Sequence, residues 1–92
     1  MRPFATASLS ATTSSSRAAL AAQGDNVVVR NLIGGSEAFF VLGDSSVVAT
    51  TSGTPIAPGE IATYGRLPEE THIAVITASG SATVRATTGQ GV

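Results

Sequence analysis

"THIAVITASGSATVRATTG", residues 71–89, decides the fold class. Its second half alternates, with Ala82, Val84 and Ala86 on one face and Thr83, Arg85 and Thr87 on the other. That period of two is the signature of a β-strand, whose successive side chains point to opposite faces, and here one face is wet. The first half, His72 to Ala78, is apolar on both faces, with Ile73, Val75 and Thr77 against Ala74 and Ile76. Such a pattern suits a central strand covered by an opposing sheet or by another protomer. Between the halves, Ser79-Gly80-Ser81 supplies turn chemistry, and the spacing predicts a hairpin.

The same grammar runs upstream. Strands are predicted near Val27 to Ile33, Ala38 to Leu42, Val47 to Thr51, Glu60 to Tyr64, His72 to Ala78 and Ala82 to Thr87. Between them lie Gly34-Gly35-Ser36, Gly43-Asp44-Ser45, Ser52-Gly53, Pro58-Gly59 and Leu67-Pro68-Glu69-Glu70, where Gly permits positive φ and Pro fixes φ. Turn signals at this interval predict an all-β fold, a small antiparallel β-sandwich or barrel of about six to eight short strands with an extended N-terminal arm. Phe39 and Phe40 lie in a run that is apolar on both faces, so one is expected to anchor the core and the other to face a partner. Phe39, Phe40, Ile73, Val75 and Val84 are the candidate core or interface anchors.

Composition changes at Gly24-Asp25, which divides the chain into an Ala/Ser/Thr-rich arm, residues 1–23, and a β-sandwich domain, residues 24–92. The arm carries only Phe4, Leu9 and Leu20 as large apolar residues, so it cannot form its own core. It is expected to be extended, mobile, or ordered only against another surface, the alternative being a plain disordered tail. Ala5, Ala7, Leu9 and Ala11 alternate in a way compatible with strand addition to a neighbour, and Arg17 to Ala22 could add one helical turn. Arg2, Phe4, Leu9, Arg17 and Leu20 are the candidate partner-binding residues. Because Pro3, Phe4 and small residues replace an apolar signal region, residues 1–23 are read as part of the working protein.

A chain of 92 residues has room for one small domain, and burial of only about 60–65% of its unfolded surface leaves little stability to spare. Without cysteine there is no disulfide or thiolate site, so oligomerisation or docking on a partner is the expected support. Lysine is absent and five arginines are scattered among six carboxylates, which argues against nucleic acid and anionic membranes as partners. No apolar run approaches the roughly 20 residues of a membrane-spanning helix.

Several constellations invite a chemical reading. Ser45 or Ser46 with His72 and Asp44 has the composition of a hydrolytic triad, but the Gly-x-Ser-x-Gly elbow between strand and helix is missing. Asp and Ser at such a corner hydrogen-bond their own backbone, the ordinary turn role. His72 is the single histidine, so a transition-metal site would lack its usual ligands, and it reads as a strand-end surface residue. Glu69 and Glu70 read as a solvated acidic corner rather than a glycosidase pair, for which the chain offers no sugar cleft. Asp25-Asn26 lacks a calcium-loop pattern, and Gly34-Gly35 lacks the ending of a phosphate loop. Arg30 and Arg85, within strands, are placed to pair with Glu37 or Glu60 across a sheet. No catalytic residue, metal, cofactor or small-molecule substrate is expected.

The stretches "VVVRNLIGGSEAFFVLGDSSVVATTSGTPIAPGE", residues 27–60, and "THIAVITASGSATVRATTGQGV", residues 71–92, resemble small virion structural proteins of tailed bacteriophages. The resemblance rests on a Val-rich strand closed by Asn31, the strand Phe39 to Gly43, the Pro-x-x-Pro-Gly step Pro55 to Gly59, the strand Thr71 to Thr77 and the Thr-x-Gly-x-Gly end at Thr87 to Gly91. It implies a head decoration, or cement, protein on the phage head surface, bound to the major capsid protein and self-associating as a homo-oligomer, a trimer. An arm that orders on docking would then add strands to capsid loops, and its deletion would leave the β domain folded. The rivals are a fibre, spike, neck or tail module meeting the host surface, and a carbohydrate-binding module. Against the latter stand the absence of tryptophan and the single Tyr64.

Overall fold

The computed structural model describes residues 2–20, 24–67 and 69–90. They form eight strands: β1 (Arg2–Ala11), β2 (Ser16–Ala19), β3 (Asn26–Asn31), β4 (Ala38–Gly43), β5 (Thr54–Ile56), β6 (Ile61–Gly65), β7 (His72–Thr77) and β8 (Ala82–Gln90). Two antiparallel sheets result, a first of order β1-β8-β3-β6 and a second of order β2-β7-β4-β5. They pack face to face as a sandwich of 34 × 26 × 18 Å.

Period-two patterning places the core. The first sheet sends Leu9, Ala11, Val27, Val29, Ala82, Val84 and Ala86 inward. From the second come Ala38, Phe40, Ile56, Ile73 and Val75, with Leu20 just beyond β2. Phe40, Ile73, Val75 and Val84 are thus core residues, each nearly or fully buried. Phe39 has the opposite parity and lies half-buried on the outer face, paired with Ile76 on one side and Pro55 on the other.

Four expectations are corrected. The β7–β8 segment is no hairpin, because β7 lies in the second sheet and β8 in the first. Alternation fixes which face of a strand is apolar, but not whether the next strand lies beside it or across the core. Here Ile73 and Val75 face the core from one side and Val84 and Ala86 from the other, joined by an arch in which Gly80 has φ +71° and Thr77 Oγ1 donates to Gly80 O at 3.0 Å.

Residues 47–51 form no strand, and the short strand of that region is β5. After Gly43 the chain becomes a strap tied to the outside of the second sheet. Ala49 N donates to Ser15 Oγ at 2.9 Å, and Arg17 Nη1 reaches Val47 O at 3.5 Å. Ala49 and Ala74 are both buried yet belong to no part of the core cluster, as expected if the strap covers the outer face of β7. A sequence rich in Val and Thr forms no strand here; side chains of Ser15 and Arg17 hold two of its backbone groups, and Val47 N and Gly53 N donate to the local carbonyls of Asp44 and Thr50. β5 tolerates Pro55 because it is an edge strand, where a missing N–H costs no ladder bond.

The N-terminal segment is extended, but it is built into the chain's own sheets rather than projecting as an arm. β1 pairs along β8 from Arg2↔Gln90 to Ala11↔Ala82, with an irregularity between Pro3 and Ala5. β2 pairs with β7 from Ser16↔Val75 to Ala19↔His72, so residues 17–19 are strand and not the start of the helical turn that Arg17 to Ala22 could have added; residues 21 and 22 lie outside the described residues. Leu9 and Leu20 are core residues, 5% and 8% exposed, so they are not available to a partner. Small residues hid this from the sequence. Ala7 and Ala11 each bury little area, but with Leu9 they close the first sheet over the core, and the β1–β8 ladder satisfies the backbone.

The chain re-enters the first sheet at Gly24, whose φ of +104° and whose approach to Gly89 leave no space for a side chain. A Cβ there would stand 2.7 Å from Gly89 O.

Candidate interaction surfaces

The Gly43-Asp44-Ser45-Ser46 corner is a turn held by its own side chains. Asp44 Oδ1 accepts from Ser46 N at 2.9 Å and from Ser46 Oγ at 2.7 Å, while Val47 N donates to Asp44 O at 3.1 Å. The Ser46 hydroxyl, then its backbone N–H, hold the Asp44 carboxyl below its ordinary pKa, with smaller contributions from His72 and Arg17. The register Gly43↔His72 brings His72 to the same end of the sheet. The connections are not those of a triad: Ser46 bonds Asp44 directly, and His72 Nδ1 bonds Thr71 Oγ1 at 2.9 Å.

The acidic corner also closes a turn. Glu70 Oε1 accepts from Leu67 N at 2.6 Å, and Arg66 donates to Glu70 O at 3.3 Å and to Gly24 O at 2.8 Å. Glu69 is exposed, and Pro68 lies outside the described residues. Among the described residues no group of three His, Cys, Asp or Glu side chains is placed to hold a metal ion.

Of the N-terminal candidates, Arg17 is exposed on the outer face of β2 and tethers the strap. The side chains of Arg2 and Phe4 lie outside those described. Two surfaces remain that sequence reasoning did not find.

One is a cleft of about 530 Å³ on the open side of the sandwich, where β5 and β6 end their sheets without pairing to each other. Phe40 and Tyr64 meet at its base edge to face, ring centroids 5.2 Å apart, with Leu42, Gly53, Pro55 and Glu70 along its sides.

The other is the outer face of the first sheet. The strand registers align Thr6, Thr87, Val28 and Thr63 in one row and Ser8, Arg85, Arg30 and Ile61 in the next. Thr6 and Thr87 share a hydrogen bond at 2.8 Å, and a shallow depression of about 330 Å³ lies between the rows. Arg30 and Arg85 are directly opposite each other on neighbouring strands and both exposed. The expected pairing with Glu37 or Glu60 is not made: Glu60 Oε1 instead accepts from Ala57 N at 2.8 Å, and among the described residues neither arginine has an ionic partner. The sequence does show two outward-facing arginines; what it hides is that β3 and β8 are neighbours.

No protein-family model, curated protein or solved structure matches the chain.

Proposed function

We propose that this chain is a structural virion protein, a capsid decoration protein that binds the major capsid protein, self-associates as a trimer and stabilises a phage head. The observation that carries this reading is the interlocked build. β1 runs the length of β8, β2 extends the second sheet, and a strap binds the outside, so the surface offered to other molecules is rigid sheet and turn. Large apolar side chains stand out from that surface, Ile33 at 88% exposure and Ile61 at 59%. The resemblance to small phage virion proteins rests on strand and turn residues: Asn31 ends β3, residues 39–43 lie in β4, Pro55 lies within β5, and residues 72–77 are β7.

The N-terminal segment does not serve as the docking arm in this reading, since its strands are already paired within the chain. Docking falls to the sheet surfaces instead. Many identical capsid sites would turn modest single contacts into high occupancy.

The test is to mix purified protein with phage heads that lack it, count bound copies by gel densitometry, and size the free protein by light scattering. Saturable binding at most of the repeated capsid sites supports decoration. Binding of a few copies, or none, removes that reading and favours a spike, neck or tail component.

A further inference from the structure

We propose that the outer face of the first sheet is a docking face for an acidic, extended segment of a partner protein, with a carboxylate held between Arg30 and Arg85. The inference deepens the decoration reading by naming the contact surface and the chemistry it takes, and it rests on that reading only in identifying the partner as capsid protein.

The starting point is the cross-strand register Arg30↔Arg85. Side chains directly opposite on antiparallel strands have Cβ atoms about 4.5–5.5 Å apart, and like charges there repel. Pairing with a nearby carboxylate would relieve this, yet Glu60 caps Ala57 and no described acid reaches either guanidinium. An unrelieved like-charge pair on an exposed face gains stability when a partner supplies the missing anion. Guanidinium groups side by side present two planar donor forks, which suit a carboxylate better than isolated ammonium groups do.

The surroundings narrow the occupant. Along the same row lie Ser8 and Ile61, and the next row holds Thr6, Thr87, Val28 and Thr63. Neutral hydroxyls and two aliphatic side chains flank a single point of positive charge. A nucleic acid backbone, with its repeated phosphates, would call for a track of cations instead. A second copy joined by a twofold axis through this face would set the arginines of both copies against one another, so symmetric self-pairing is opposed. What fits is an extended acidic segment, whose alternate side chains all lie on one face, with apolar or small residues to meet Ile61 and Val28.

The probe is a soluble synthetic peptide of alternating glutamate and threonine, titrated into the full chain while the arginine Nε–Hε resonances are followed by NMR. A glutamine/threonine peptide and a single-stranded DNA oligonucleotide serve as comparisons. The expected result is saturable shifts at Arg30 and Arg85 with the acidic peptide alone, and weakening by about tenfold or more in Arg85→Gln, the loss of one charge-assisted hydrogen bond. Arg17→Gln, on the opposite sheet, should bind as the unaltered protein does. No shift at either arginine, equal binding by Arg85→Gln, or tighter binding of the DNA overturns the proposal. Occupancy on phage heads separates the two readings: if the unaltered protein and Arg85→Gln decorate heads equally, the docking face is wrong and decoration stands. If the peptide binds as expected and heads take up nothing, the docking face stands and decoration is wrong.

Discussion

The carboxamide of Asn31 donates to the carbonyl of Ile56 at 3.0 Å, joining β3 of one sheet to β5 of the other through a fully buried polar group. Its second amide hydrogen goes to Ser36 O at 3.0 Å. The backbone is committed as well, with Asn31 N donating to Glu60 O and Gly59 N donating to Asn31 O. One residue therefore fixes three approaches to the same sandwich edge: its side chain holds the loop into β4 and the end of β5, and its backbone holds the turn into β6. Its Oδ1 has no described partner, so the amide earns its place through its donors.

Replacing Asn31 with Ala should remove a buried donor from the carbonyl of Ile56 and a part-buried one from that of Ser36. A loss of about 1–3 kcal/mol is expected from the two lost bonds, measured by urea denaturation. A loss below about 0.5 kcal/mol would mean that water or a rearranged loop replaces the clasp.

Deleting residues 1–20 should abolish cooperative folding rather than release an arm. The cut removes β1 and β2, with Leu9, Ala11 and Leu20 from the core, and exposes the edges of β8 and β7. Circular dichroism and a thermal melt decide it. A truncated chain that melts cooperatively near the full-length temperature would show the segment to be dispensable.

Replacing Arg85 with Glu converts a like-charge cross-strand pair with Arg30 into an opposite-charge pair. Stability should rise by about 0.2–1 kcal/mol at low salt, and the gain should shrink as salt screens these exposed groups. A decrease, or a gain indifferent to salt, would show that the arginines do not repel in the free protein.

Asp44 provides a pH-dependent contribution. Its folded pKa is depressed chiefly by the Ser46 hydroxyl, so the ionised form favours the native state. The stabilisation is present above the ordinary aspartate pKa of about 3.9 and disappears as pH falls through the lower folded value. Asp44→Ala should therefore be less stable than the unaltered protein at neutral pH, with the two melting curves converging in acid. A difference that persists unchanged below pH about 2 would assign the effect to turn geometry rather than to charge.

Fold class was legible because strand alternation is local. β4, β6, β7 and β8 were placed within a few residues of where they lie, and the inward face of β8, with Val84, followed from parity, whereas β7 is apolar on both faces and left Ile73 and Val75 as core or interface candidates. Lateral pairing was not legible, since β8 takes β1 and β3 as neighbours from far along the chain and leaves β7 to the other sheet. The N-terminal tract was misjudged for a different reason. Ala11 is as buried as Val84, but alanine carries too little apolar area for its burial to show in composition. The Arg30–Arg85 face depended on both lessons, because outward parity was readable in each strand while adjacency required the β3–β8 register.

The most direct measurement is a reconstruction of phage heads, lacking this protein, after mixing with it at saturation. The expected result is ordered density at every equivalent position of the capsid lattice, with the outer face of the first sheet and its Arg30–Arg85 pair turned toward capsid protein. A bare lattice, or density confined to a single vertex, would contradict the decoration reading.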